Sequence, residues 1–131
     1  MRPPVPEHKT VYIRFHRRID ELLTEFSKQT GMRRATAVNW IQTRYMTQLL
    51  QENADVSEID EEALGFSGVE ELYVVALGRS NEGSHLGRAM RITVDRHMER
   101  MMDVIAAQCG MTLQNFRVSI LVHYFERNGF L

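Results

Sequence analysis

The sequence predicts a mainly α-helical fold with a short two-stranded antiparallel β-ribbon, on three observations. A self-similar pattern returns after 79 residues, an alternating run precedes each copy, and a Gly-Met pair interrupts each copy at the same place. Sliding the chain by 79 positions sets Ile13 to Thr43 over Ile92 to Val122 without a gap. Identities fall at Ile13/Ile92, Arg17/Arg96, Gln29/Gln108, Gly31/Gly110, Met32/Met111 and Ile41/Ile120, and just beyond at Tyr45/Tyr124. Self-similarity of this kind marks one structural unit used twice.

The first element of each copy is a strand. In Val11-Tyr12-Ile13-Arg14-Phe15 the first, third and fifth residues are apolar, and Met90-Arg91-Ile92-Thr93-Val94 repeats that alternation in the same register. Period two over five residues is the pattern of a half-buried strand. A helix follows in each copy. Ile19, Leu22, Leu23 and Phe26 stand at i, i+3, i+4 and i+7, and Met98, Met101, Met102 and Ile105 occupy the shifted positions. Such a stripe buries one helix face, and for the methionines core packing is the plain reading. Each stripe ends at Gly-Met, where glycine suits the left-handed conformation that closes a helix. A second helix then runs from Arg34 to about Gln51, and from Leu113 to about Arg127.

A lone strand leaves its backbone groups unmatched, and a unit of about 45 residues is too small to stand alone. Pairing the two strands satisfies both ladders. It also lets Val11, Ile13 and Phe15 share a core with Met90, Ile92 and Val94. The opposite alternation face must then point outward.

Strand, helix, Gly turn and helix, found twice, resemble the ribbon-helix-helix (Arc/MetJ) family of DNA-binding proteins. The resemblance covers residues 9–51 and 88–128. It implies a tandem ribbon-helix-helix pseudo-dimer, in which one chain supplies both halves of a ribbon that enters the DNA major groove. It further implies that Thr10, Tyr12 and Arg14 of the first strand, with Arg91 and Thr93 of the second, read base edges. Ala89 is too short for a polar contact. Arginine bonds two acceptors of guanine, and threonine reaches base edges or a thymine methyl. Tyr12 is the least typical reader, and ribbon packing stays open for it. Because the two strands differ, the expected DNA site is asymmetric.

The resemblance also assigns phosphate binding to the start of the second helix, where unpaired amides face outward. Thr112 stands where the family prefers a hydroxyl cap. The first copy departs from this, with Arg33 and Arg34 placed to hold phosphate by charge instead. Lys9, Arg17, Arg88 and Arg96 flank the strands as weaker phosphate candidates.

Composition fits this reading. The 131 residues are 44% apolar and 25% charged, the balance of a folded chain. The net charge of −1 hides a division: residues 1–50 carry +5, residues 51–87 carry −8 and residues 88–131 carry +2. Local patches, not the total, meet a nucleic acid. With the resemblance, the expected organisation is an N-terminal flexible arm (1–8), a first unit (9–51), an acidic, partly helical linker (52–87) and a second unit (88–131).

Within the linker, Ser57 to Leu64 and Ser67 to Leu77 read as short helices closed by Gly65 and Gly78, and Ser67 to Glu70 fits a capping box. Arg79 to Gly87 reads as a loop. The apolar residues of the linker suit packing on the repeats or a protein partner, and its acids a solvated face.

Nothing points to catalysis. The sequence shows no phosphate-binding Gly loop, nucleophile elbow or paired-Cys zinc spacing, and His8, His16, His85, His97 and His123 are scattered. No enzyme activity, metal or cofactor is expected. The single Cys109, the lack of a long apolar run and the polar start at Met1-Arg2-Pro3-Pro4 predict a cytoplasmic protein without a membrane partner. A transcriptional regulator binding double-stranded DNA is the first expectation, self-association on DNA being compatible with it. The tandem arrangement also resembles accessory proteins of the TraY type, which act at a plasmid transfer origin, and an antitoxin- or inhibitor-like interaction module is a third reading.

Overall fold

The two alternating runs satisfy each other's backbone. In the computed structural model, which describes residues 7–66, 87 and 89–130, β1 (His8–Ile13) and β2 (Met90–Asp95) form a two-stranded antiparallel sheet. The register pairs His8 with Asp95, Thr10 with Thr93, Tyr12 with Arg91 and Ile13 with Met90. Alternation sends Met90, Ile92 and Val94 inward and Arg91, Thr93 and Asp95 outward. Ile13 is buried and Val11 partly so, while Thr10 and Tyr12 are exposed.

β1 begins earlier than its apolar pattern suggests. His8 belongs to the strand rather than to a flexible arm, and Glu7 accepts a hydrogen bond from the Arg96 amide at 2.9 Å. The partner strand makes this extension: β2 runs to Asp95 and holds His8 opposite it. At the other end β1 stops at Ile13, and Phe15 is buried beyond the ladder.

Two helices follow each strand. The first pair is α1 (Arg17–Thr30) and α2 (Arg34–Glu52). α1 buries Ile19, Leu22, Leu23 and Phe26, the expected stripe, and ends at Gly31, whose φ of 77° is the left-handed value a glycine accepts without strain. After a 3-10 turn (Val56–Glu58) and a short helix α3 (Glu61–Leu64), β2 leads into α4 (Arg96–Gln108) and α5 (Leu113–Arg127). In α4 Met102 and Ile105 are buried, whereas Met98 and Met101 are only half-buried against the core.

The second copy has a different centre. α5 is buried nearly all round, from Phe116 to Val122 and at Phe125, as befits a central helix. Its side chains and those of α1, α2 and both strands form one hydrophobic cluster. Phe26, Trp40, Tyr124, Phe125 and Phe130 add an aromatic network with ring centroids 5.5–6.2 Å apart, mostly edge-on or tilted.

Polar side chains also enter this core. Arg117 of α5 is ion-paired with Glu99 of α4 and donates to Gln42 Oε1 of α2 at 3.1 Å. All three are buried, so one hydrogen-bonded cluster ties α2 to α4 and α5. Burial pushes the Arg117 guanidinium down to about 10 from its ordinary value.

In the acidic segment the expected helix from Ser57 to Leu64 is split. Ile59 turns inward in extended conformation and is buried, where its carbonyl accepts from Gln108 Nε2 at 3.4 Å. Asp55 caps the first piece and Asp60 the second, and Gly65 closes α3 with a φ of 74°. Glu58, Asp60, Glu61 and Glu62 are exposed. Residues 67–86, with the second expected helix, its capping box, Gly78 and nearly all of the following loop, lie outside the described residues. Among the described residues no helix is long and apolar enough to cross a membrane.

Candidate nucleic-acid interface

The outward face of the ribbon is built by parity alone. Residues that alternate with buried ones must point away from the core. Four of the five expected base readers, Thr10, Tyr12, Arg91 and Thr93, stand on this face as two cross-strand pairs, Thr10 with Thr93 and Tyr12 with Arg91. Tyr12 is 72% exposed, too open to be a packing residue of the ribbon within this chain. Arg14, the fifth, is exposed one residue past the end of β1.

The chain of each copy is held at or just past its strand by an amide from a helix of the other copy. Asn39 Nδ2 of α2 donates to the Thr93 carbonyl at 2.6 Å, and Gln114 Nε2 of α5 donates to the Arg14 carbonyl at 3.0 Å. Arg14 and Thr93 are themselves 79 positions apart, so both copies are braced at the same place. The strand-to-helix junctions match as well. His16 Nδ1 accepts from the Arg18 amide at 3.1 Å to start α1, and Asp95 Oδ1 accepts from the Met98 amide at 2.7 Å to start α4. Sequence reading missed these positioning residues, because an amide or a cap is recognisable only once its partner is in place.

The second-helix starts differ between copies. The Thr112 hydroxyl accepts from the Asn115 amide at 3.1 Å and caps α5. Arg33 holds the same place before α2 in extended conformation, exposed and without a side-chain cap. Neither α2 nor α5 has an acid in its first turn, whereas α1 has Asp20 and α4 has Glu99 there. Neither second helix therefore carries a first-turn carboxylate of its own to offset the positive end of its dipole.

The remaining phosphate candidates fall in different settings. Arg34 is engaged: its Nη1 lies 3.0 Å from Asp20 Oδ1, with the carboxylate only 15% exposed. Lys9 is on the inward-facing parity of β1, half-buried opposite Val94, and so off the reading face. It lines a cleft of about 230 Å³ with Arg96, Arg100 and Leu113, the first residue of α5. Arg100 was not among the expected residues. Its signal was the i, i+4 spacing from Arg96, which puts both on one side of α4. Glu99 and Asp103 share the cleft and temper its positive charge. Arg88 lies outside the described residues.

Chemically, this is a surface of hydrogen-bonding and cationic side chains on a two-stranded ribbon. Among the described residues no group of three or more His, Cys, Asp or Glu could hold a metal ion. Burial pushes the Cys109 thiol up, with Glu61 and Asp60 adding to the effect. No family model, curated protein or solved structure compared with this chain matches it.

Proposed function

We propose that this chain is a sequence-specific double-stranded DNA-binding protein that reads the major groove with an intramolecular β-ribbon and serves as a transcriptional regulator. One observation carries the reading. The ribbon presents Thr10, Tyr12, Arg91 and Thr93 on a single outward face, with Arg14 at its edge. These residues form an array of donors and acceptors on an element narrow enough for a groove about 12 Å wide.

The register supports a tandem pseudo-dimer. Positions 79 apart are equivalent in the repeat, and the equivalent residues Tyr12 and Arg91 are direct partners across the ribbon. This favours a two-fold relation between the copies, passing between these two residues. The paired braces at Arg14 and Thr93 and the paired caps at His16 and Asp95 support the same relation. In this arrangement the starts of α2 and α5 flank the ribbon as phosphate-holding sites, Arg33 acting by charge and Thr112 by backbone amides.

Footprinting on the DNA upstream of its own gene, at moderate salt, tests the proposal, with Arg14→Ala and Arg91→Ala as controls. A protected site that both variants lose supports it. Absence of protection by the wild-type chain, or protection unchanged in both variants, rejects it.

A further inference from the structure

The register gives the outward face a direction. Its cross-strand columns run His8–Asp95, Thr10–Thr93 and Tyr12–Arg91. Past the last of these, the exposed Arg14 continues one strand and the exposed Ala89 precedes the other. Arg91 thus lies at the pseudo-two-fold and Arg14 toward one end. Both threonines lie toward the opposite end, followed by His8 and an Asp95 whose carboxylate caps α4. Arg14 and Thr93 are equivalent positions in the repeat, as are Thr10 and Ala89, so rotation about the two-fold does not reproduce the face.

Columns are two residues apart, or about 7 Å along a strand. That is about two base-pair steps at 3.4 Å each. The arginine end and the threonine end therefore address different base pairs. Arginine selects guanine through two parallel hydrogen bonds, whereas threonine is permissive or favours a thymine methyl.

We infer that the DNA site is polar: guanines lie under Arg91 near its centre and under Arg14 in one half, and the other half, under Thr10 and Thr93, tolerates A·T pairs. The chain then sits on its duplex in one orientation only. This rests on the DNA-reading proposal above and goes beyond it by assigning base classes to the two halves.

Selection of the full-length chain against a randomised duplex library, at about 0.15 M salt, tests the inference. The expected motif carries its guanine preference in the centre and one half. Arg14→Ala should weaken binding to the enriched duplex roughly 5- to 100-fold and flatten the preference at the outer guanine alone. Thr93→Ala should alter only the opposite half. Arg14 is braced through its carbonyl, which alanine keeps, so a matching thermal melt controls for folding. A mirror-symmetric motif, or an Arg14→Ala variant that flattens both halves equally, overturns the polarity and leaves DNA reading intact. Failure to enrich any duplex overturns both.

Discussion

Tyr12 and Arg91 face each other across the β-ribbon, both exposed, at the same position of the two repeats. In an exact repeat this pair would be identical. Here one copy offers a phenol and the other a guanidinium, so the halves already differ at the pair where equivalent positions meet.

Arg91 should therefore matter by geometry as well as charge. Arg91→Ala is expected to weaken specific DNA binding roughly 5- to 100-fold, with stability changed by less than about 0.5 kcal/mol, since the side chain is exposed. Arg91→Lys keeps the charge but not the two-pronged bond. It should retain the salt dependence of binding while relaxing selectivity at one base pair. Fluorescence anisotropy over a salt series, on matched and mismatched duplexes, separates the two effects.

The starts of α2 and α5 set stability against binding. Arg33 has the extended backbone of a cap without a capping side chain, and Thr112 has both. Arg33→Thr is expected to stabilise the fold by about 0.5–1 kcal/mol. Affinity for DNA should fall in the same variant, and the slope of log affinity against log salt should flatten by about 0.9 for one lost phosphate contact. Urea unfolding and binding titrations on the same preparation check both signs.

The buried cluster of Glu99, Arg117 and Gln42 should act on folding alone. Glu99→Ala leaves the Arg117 guanidinium buried without its counter-ion, which is expected to cost about 3–5 kcal/mol. Replacing both charges with apolar residues of similar volume, as in Glu99→Leu with Arg117→Met, should cost much less than the single change. Denaturant unfolding of the single and double variants gives the comparison.

Much of this architecture was legible in the sequence because two periods coexist there. Parity marked both strands and placed Thr10, Tyr12, Arg91 and Thr93 outside; the 3.6-residue stripe and Gly31 marked α1, and α5 runs from Leu113 to Arg127 as expected. Parity also argued against Lys9 as an outward residue, since it alternates in step with Val11 and Ile13. What stayed hidden depends on distant partners. The start of β1 at His8 requires Asp95, and the engagement of Arg34 requires Asp20 across the α1–α2 crossing. A charged cluster in the core runs against the general exposure of such residues. The only hints were that Arg117 repeats the position of Val38 and Glu99 that of Asp20.

The acidic segment should loosen on acidification. His123 packs against Tyr45 and Phe66, with ring centroids 5.9 and 5.6 Å away. Burial and the nearby Arg127 hold its imidazole below the ordinary value of 6.5, with Glu126 opposing. The unfolded chain therefore binds this proton more readily than the folded one. The stability contributed by neutral His123 is complete above pH 6.5 and is lost as pH falls toward the folded value. His123→Phe keeps a ring there without the titration. Between pH 7.5 and about pH 5, urea unfolding should show a smaller stability loss in this variant than in the wild type.

The most direct test concerns how many chains make one ribbon on DNA. Native mass spectrometry of the full-length protein on a minimal duplex carrying its selected site is expected to show one chain per duplex. That complex should be lost with Arg14→Ala combined with Arg91→Ala. A complex that forms only with two chains per minimal site, or no sequence-dependent complex with any duplex, would contradict an intramolecular ribbon that reads DNA.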